Sequence, residues 1–270
     1  MLMNKKMNEG LCCLLVAVCA LLPMGVVAQG LTDVQRHDSI AVCIEQARQG
    51  DAHAYVKMAR LYLQDSNPER ALMKAGMMAY LANQRGTING NWMVWLADQP
   101  EGETARLAVQ VIKLIDGKDY EGALRQGDAL AAAGIPRECI EICIGMDKRT
   151  NQEETVGRAR ELARRGSLLG RYLYALLAGD KDSLYALAPE MPVLYNGQAR
   201  DYGTDDELSE DDCAHKVALY YEADKQGCLA PFGARWLLDY FERQAKRTGR
   251  ETDAAEMERL RKLAGVELER

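Results

Sequence analysis

Apolar residues recur along this chain at steps of three and four, the spacing of one helix face, and no segment alternates as a half-buried strand does. The first such face, from Asp33 to Gln49, carries Val34, Ile40, Ala41, Ile44 and Ala47 and stops at Gly50. A second holds Ala52, Tyr55, Val56, Ala59, Tyr62 and Leu63. Asn67-Pro68-Glu69 then supplies a capping side chain, a proline suited to the first helical position and an acid for the first turn. These residues open a third face, from Ala71 to Ala82, that ends before Gly86. Helical spacing continues through Ile88 to Ala97, Glu103 to Ile115 and Tyr120 to Ala133, and from Gly134-Ile135-Pro136 through Ile144. It resumes on both sides of Gly166 and of Gly227, and closes with a face from Ala254 to Leu263.

The pattern also repeats. Ala47-Arg48-Gln49-Gly50-Asp51-Ala52 returns as Leu124-Arg125-Gln126-Gly127-Asp128-Ala129, and glycines at Gly50, Gly86, Gly127 and Gly166 punctuate the chain every ~40 residues, a period typical of helical-hairpin arrays. The longer interval from Gly166 to Gly227 leaves room for an irregular insertion at about 188–212. Ala47-Arg48-Gln49-Gly50 followed by Ala54, Ala59 and Tyr62, then Ala71, Ala79, Ala82 and Gly86, resembles the Sel-one-like branch of the tetratricopeptide-type repeats. The run Lys216-Val217-Ala218-Leu219-Tyr220-Tyr221-Glu222-Ala223 before Gly227 is similar to the second helix of that branch. Asp119-Tyr120-Glu121-Gly122-Ala123-Leu124 resembles the second helix of an ordinary tetratricopeptide unit.

The resemblance implies an all-α fold, a right-handed α-α superhelix built as a solenoid of antiparallel helical hairpins. In such an array each hairpin packs on its sequence neighbours, and the end helices carry polar outer faces. Asp253, Glu256, Glu258, Arg259, Arg261 and Lys262 fit that role on the last helix. The resemblance further implies a protein-protein interaction scaffold whose concave groove, lined by the first helix of each hairpin, holds an extended peptide or a partner helix. Tyr55 and Arg60 are expected to face that groove. Tyr195 and Tyr202, in the insertion, are the other expected partner-binding residues, because long loops carry function and tyrosine gives contact area at low entropy cost.

The first 28 residues read differently. Lys5 and Lys6 precede an apolar run from Leu11 to Leu22, then Pro23 and Gly25, then Val26-Val27-Ala28, which is the pattern of a secretory signal peptide cleaved after Ala28. An uncleaved anchor is the rival reading, since Leu11 to Ala28 is a little shorter than the ~20 residues of a span. Pro23 and Gly25 argue against it. Residues 29–270 then form one helical-repeat domain, periplasmic or secreted, with no integral membrane span after cleavage. A bacterial envelope is the expected setting, given the short apolar core of the signal.

Composition narrows the chemistry. The formal charge of −6 and the lack of a basic cluster with interleaved aromatics disfavour nucleic acid as a partner. Of eight cysteines, Cys12, Cys13 and Cys19 lie in the signal segment, leaving Cys43, Cys139, Cys143, Cys213 and Cys228, an odd number that fits no closed disulfide framework. Cys139 and Cys143 are expected to pack as small apolar side chains. Cys213 and Cys228 flank one helix, too far apart to bond directly, so a bridge from either would reach another hairpin. With three scattered histidines, His37, His53 and His215, no metal or cofactor is expected. The acidic run Asp205-Asp206-Glu207-Leu208-Ser209-Glu210-Asp211-Asp212 lacks the glycine and final glutamate of a calcium loop. It reads as a solvated segment that favours the start of the next helix, with a partner or calcium site as the alternative. Trp92 and Trp95 are read as core. No nucleophile stands beside a base, so an enzyme is the least favoured class, and a structural component of an envelope assembly is the alternative to a peptide-binding scaffold.

Overall fold

The structure, a computed structural model, describes residues 32–149, 151–203, 208–249 and 251–265. Among the described residues the chain is all-helical, with fourteen helices and no strand. In chain order α1 is Asp33–Arg48, α2 His53–Leu63, α3 Pro68–Gln84, α4 Trp92–Ala97 and α5 Glu103–Asp116. Then come α6 Tyr120–Ala132, α7 Arg137–Lys148, α8 Gln152–Arg164, α9 Leu168–Ala178 and α10 Lys181–Tyr185. Last are α11 Leu194–Asp201, α12 Glu210–Lys225, α13 Pro231–Thr248 and α14 Ala254–Ala264.

Local chemistry sets many of these boundaries. The Asn67 side chain accepts from the Arg70 N–H at 2.9 Å with Pro68 in the first turn, starting α3 where its sequence places it. Asp119 caps α6 through the Gly122 N–H, Ser167 caps α9 through Gly170, and Asp253 caps α14 through Ala255. Ser209 and Asp212 cap α12 reciprocally, so the described end of the acidic run starts a helix, as its charges favour. Asp205, Asp206 and Glu207 lie outside the described residues, as does the signal segment.

The two copies of the Arg-Gln-Gly-Asp-Ala stretch are not structurally equivalent. Gly50 follows α1 at a φ of +91°, a left-handed turn that a side chain resists. Gly127 sits inside α6, where a Cβ would meet Ile140 Cδ1 at 2.6 Å; here glycine lets α6 and α7 approach. The turn in that hairpin is made instead by Gly134, at a φ of +91°. Identical local sequence thus serves a turn in one hairpin and a helix contact in another.

Helix α3 is the hub. It is buried over most of its circumference and packs against α2, α4, α5 and α9, with Ala75, Gly76, Ala79 and Ala82 admitting close neighbours. Glu69, in its first turn, reaches across to α9 and accepts from Ser167 Oγ at 2.9 Å and the Leu169 N–H at 3.2 Å, so a carboxylate from another helix meets the positive end of α9. Glu69→Ala is expected to cost about 1–2 kcal/mol, with partial recovery in Glu69→Gln, whose amide oxygen still accepts. A urea unfolding midpoint unchanged by Glu69→Ala would rule this contact out as a stabiliser.

The C-terminal helices return to the first hairpin, which differs from an array in which each hairpin meets only its sequence neighbours. Helix α12 packs against α1, and Gly227, after α12, lies close enough to Ile44 that a Cβ would stand 3.3 Å from its backbone. Arg85, just past α3, donates to the carbonyl oxygens of Leu229 and Leu263.

Two sequence expectations change. The segment at about 188–212 is not an exposed irregular loop where it is described. Leu187, Ala188 and Met191 are buried, α11 follows, and buried Asn196 donates to the Cys228 carbonyl and accepts from the Ala230 N–H. Pro189, Pro192 and Gly197 break the helical spacing there, and part of the burial falls on a polar side chain, so periodicity gives no sign of it. The last helix likewise does not turn all its charges outward, because Arg259 is largely buried and Glu256 bonds to it. Cys43, Cys139, Cys213 and Cys228 are free thiols, so no bridge from Cys213 or Cys228 to another hairpin is present. The Cys143 thiol donates to the Cys139 carbonyl within α7.

Candidate functional site

The four expected partner-binding residues do not form one surface. Tyr55 is 1% exposed, which overturns its expected place on a groove. Its ring lies 5.3 Å from the Arg85 guanidinium, and burial pushes its phenol up to about 12. The reason is register. At 3.6 residues per turn, Arg60 stands ~140° around α2 from Tyr55, and the buried face belongs to Ala54, Tyr55, Met58 and Ala59. Arg60 is exposed, donates to Gln99 Oε1 at 2.8 Å and lies over the half-buried Trp95. Trp92 is core, as its spacing indicates. Tyr195 and Tyr202 are half-buried against the C-terminal core, where Tyr202 stacks on His215 at 5.5 Å.

A cleft of about 670 Å³ lies elsewhere, between the end of α1 and helices α12, α13 and α14. Tyr221, Phe241 and Met257 give it an apolar wall, and Gln244, Thr248 and Thr252 add neutral polar groups. Arg48, Asp224, Glu256 and Arg259 also line it, but they are committed to one another. Asp224, 3% exposed, accepts from Arg259 Nη1 at 2.8 Å and from Arg48 Nε at 3.5 Å. Arg259 also donates to the Arg48 carbonyl at 3.0 Å and grips both Glu256 oxygens at 2.7 and 2.8 Å. Tyr221 Oη donates to Glu256 at 2.9 Å. Arg48 and Arg259 balance Asp224 and Glu256, while Glu251 and the α14-capping Asp253 also line the cleft and leave it net acidic.

The Arg259 guanidinium holds the Glu256 carboxyl below its ordinary value of 4.5, against the opposing effect of burial. Burial, and then the bond to Glu256, push the Tyr221 phenol up. A carboxyl lowered in the folded state stabilises fully above its ordinary pKa, and that stabilisation disappears as pH falls through the lowered value. Wild-type protein is therefore expected to lose more thermal stability between about pH 5 and about pH 3 than Glu256→Gln does. Parallel melting curves for the two proteins across that interval would refute the assignment.

None of these cleft residues stood out in the sequence as a group. One signal was present: Asp224 falls in the last turn of α12, where the helix dipole disfavours an acid unless a cation meets it. Arg259, 211 positions beyond Arg48, offered no local hint of that partnership. Among the described residues no group of three or more His, Cys, Asp or Glu side chains converges as a metal site, and no helix is long and apolar enough to cross a membrane. No family model matches the chain, and no curated protein or solved structure is significantly similar to it.

Proposed function

We propose that the chain is a protein-protein interaction scaffold of the bacterial envelope or periplasm, delivered there by a signal peptide cleaved after Ala28. Its hairpins, in the manner of Sel-one-like and tetratricopeptide repeats, would follow a right-handed superhelical path, closed by the return of α12 to α14 onto α1. The cleft beside α13 carries this reading. Its volume lies within the range of small binding sites, its wall offers aromatic and thioether contacts, and beyond its paired network only Glu251 and Asp253 add charge. An extended, apolar peptide segment without acidic side chains suits such a surface, with the Gln244 amide nitrogen and the Thr252 hydroxyl available to its backbone carbonyls.

The test is selection of peptides from a displayed library on the purified protein, followed by affinity measurements on Gln244→Trp, which fills the cleft from the α13 side. Selected peptides are expected to bind Gln244→Trp at least about tenfold more weakly and to bind Arg60→Ala as they bind wild type. Equal affinity for wild type and Gln244→Trp would remove the cleft from consideration.

A further inference from the structure

Away from that cleft, α1 lies over the turn between α2 and α3 and encloses a pocket of about 400 Å³. Ile40 and Ile44 from α1 and Tyr62 from α2 give it apolar walls, and Arg36, Arg70 and Lys74 bring three cations to it. Two of the three have acidic partners. Arg36 pairs with Asp33 at 2.8 Å and also donates to the Gln64 carbonyl at 2.6 Å, while Arg70 pairs with Asp65 at 3.1 Å. These pairs engage both carboxylates that line the pocket.

Lys74 is the exception. It follows Arg70 by one helical turn on α3, is half-buried, and holds its ammonium 5.5 Å from the centre of the Tyr62 ring. Among the described residues no carboxylate or carbonyl oxygen lies within hydrogen-bonding reach of it. Burial and the neighbouring Arg70 charge both pull its pKa down, so the ammonium form is under-stabilised where it sits. An arriving anion would supply the missing acceptor through a charge-assisted bond inside a partly desolvated site.

From this geometry we infer that the pocket between α1, Tyr62 and Lys74 is a binding site for a monocarboxylate carried on a short apolar stem. Three cations against Asp33 and Asp65 leave one positive charge, which a single carboxylate balances and a dianion overshoots. Ile40, Ile44 and Tyr62 receive the stem, and Lys74 Nζ donates to the carboxylate. A free small acid and the C-terminal carboxylate of a peptide offer the same chemistry, and the pocket selects for that shared group.

Benzoate, its neutral isostere benzamide and inorganic phosphate serve as probes of the purified protein, followed by amide NMR shifts and calorimetry. Benzoate is expected to shift the Ile40, Tyr62 and Lys74 signals saturably, with benzamide and phosphate at least about tenfold weaker. Lys74→Met, which keeps an apolar stem of similar length, is expected to weaken benzoate at least about tenfold, and Lys74→Arg to keep it within a few-fold. A short peptide with a free C-terminus, compared with its amidated form, separates the two sources. Binding of the free form assigns a peptide terminus to the site, and binding of benzoate without it assigns a small acid. The inference is overturned if neither carboxylate saturates, if benzamide binds as benzoate does, or if folded Lys74→Met binds benzoate as wild type does. The benzamide comparison uses wild-type protein alone, so a Lys74→Met protein that failed to fold would not shelter the inference.

Discussion

Replacing Arg259 by methionine is expected to destabilise the protein by about 3–5 kcal/mol, the usual cost of removing one partner from a buried ion pair. Asp224 is 3% exposed and its shortest bond is the one from Arg259, so the substitution strands a carboxylate away from water. Arg48 does not compensate, because its Nε stands 3.5 Å from Asp224 and its Nη1 is occupied by Glu45 at 2.9 Å. Arg259→Lys is expected to recover little. One ammonium cannot reproduce a guanidinium that meets Asp224, the Arg48 carbonyl and both Glu256 oxygens at once. Adding Asp224→Asn to Arg259→Met is expected to restore much of the loss, since the stranded charge disappears with it. Denaturant unfolding measures all four proteins, and an Arg259→Met protein within about 1 kcal/mol of wild type would show that Asp224 is not held as described.

The contrast between Arg259 and the helices around it shows what sequence can disclose. Helix starts such as Asn67-Pro68-Glu69 and Ser209 with Asp212 are legible because a cap and its target lie three residues apart, so the chemistry is local. The all-helical class follows from apolar spacing, equally local. Register fails at Gly127, because glycine permits both a left-handed turn and a tight helix contact, and the neighbouring Arg, Gln and Asp do not discriminate between them. Tyr55 fails for a related reason. Its position relative to a groove depends on which arc of α2 the packing consumes, and α3 together with the C-terminal closure consumes the arc that holds it. The cleft draws residues from α1 and α12, helices joined by contacts spanning more than half the chain, and the Lys74 pocket draws its residues chiefly from α1, α2 and α3. No short window of sequence contains the cleft, and the Lys74 pocket, apart from Gln226, is spread over residues 33–74 of three successive helices.

Arg85→Met is expected to cost about 2–4 kcal/mol, because it leaves two backbone acceptors without their donor. Leu263 lies in the last turn of α14, where its carbonyl has no partner within the helix, and Arg85 meets it at 2.7 Å; the Leu229 carbonyl, just before α13, receives the second bond at 2.9 Å. Both residues are 1% exposed, so water is poorly placed to replace the guanidinium. The stacking of Arg85 on Tyr55 is lost as well, worth about 0.5–2 kcal/mol within that total. Arg85 and Arg259 fasten the C-terminal helices to the first hairpins at separate points, and this arrangement makes a prediction that neither substitution makes alone. If α12 to α14 close as one unit, the double variant cannot lose more than the free energy of that closure, so its loss should fall short of the sum of the single losses. Hydrogen exchange locates the effect: amides of α14 and the first turns of α13 are expected to exchange together in each single variant, at rates the double variant barely exceeds. Fully additive losses, with α14 opening independently of α13, would mean that two unrelated contacts hold two separate helices.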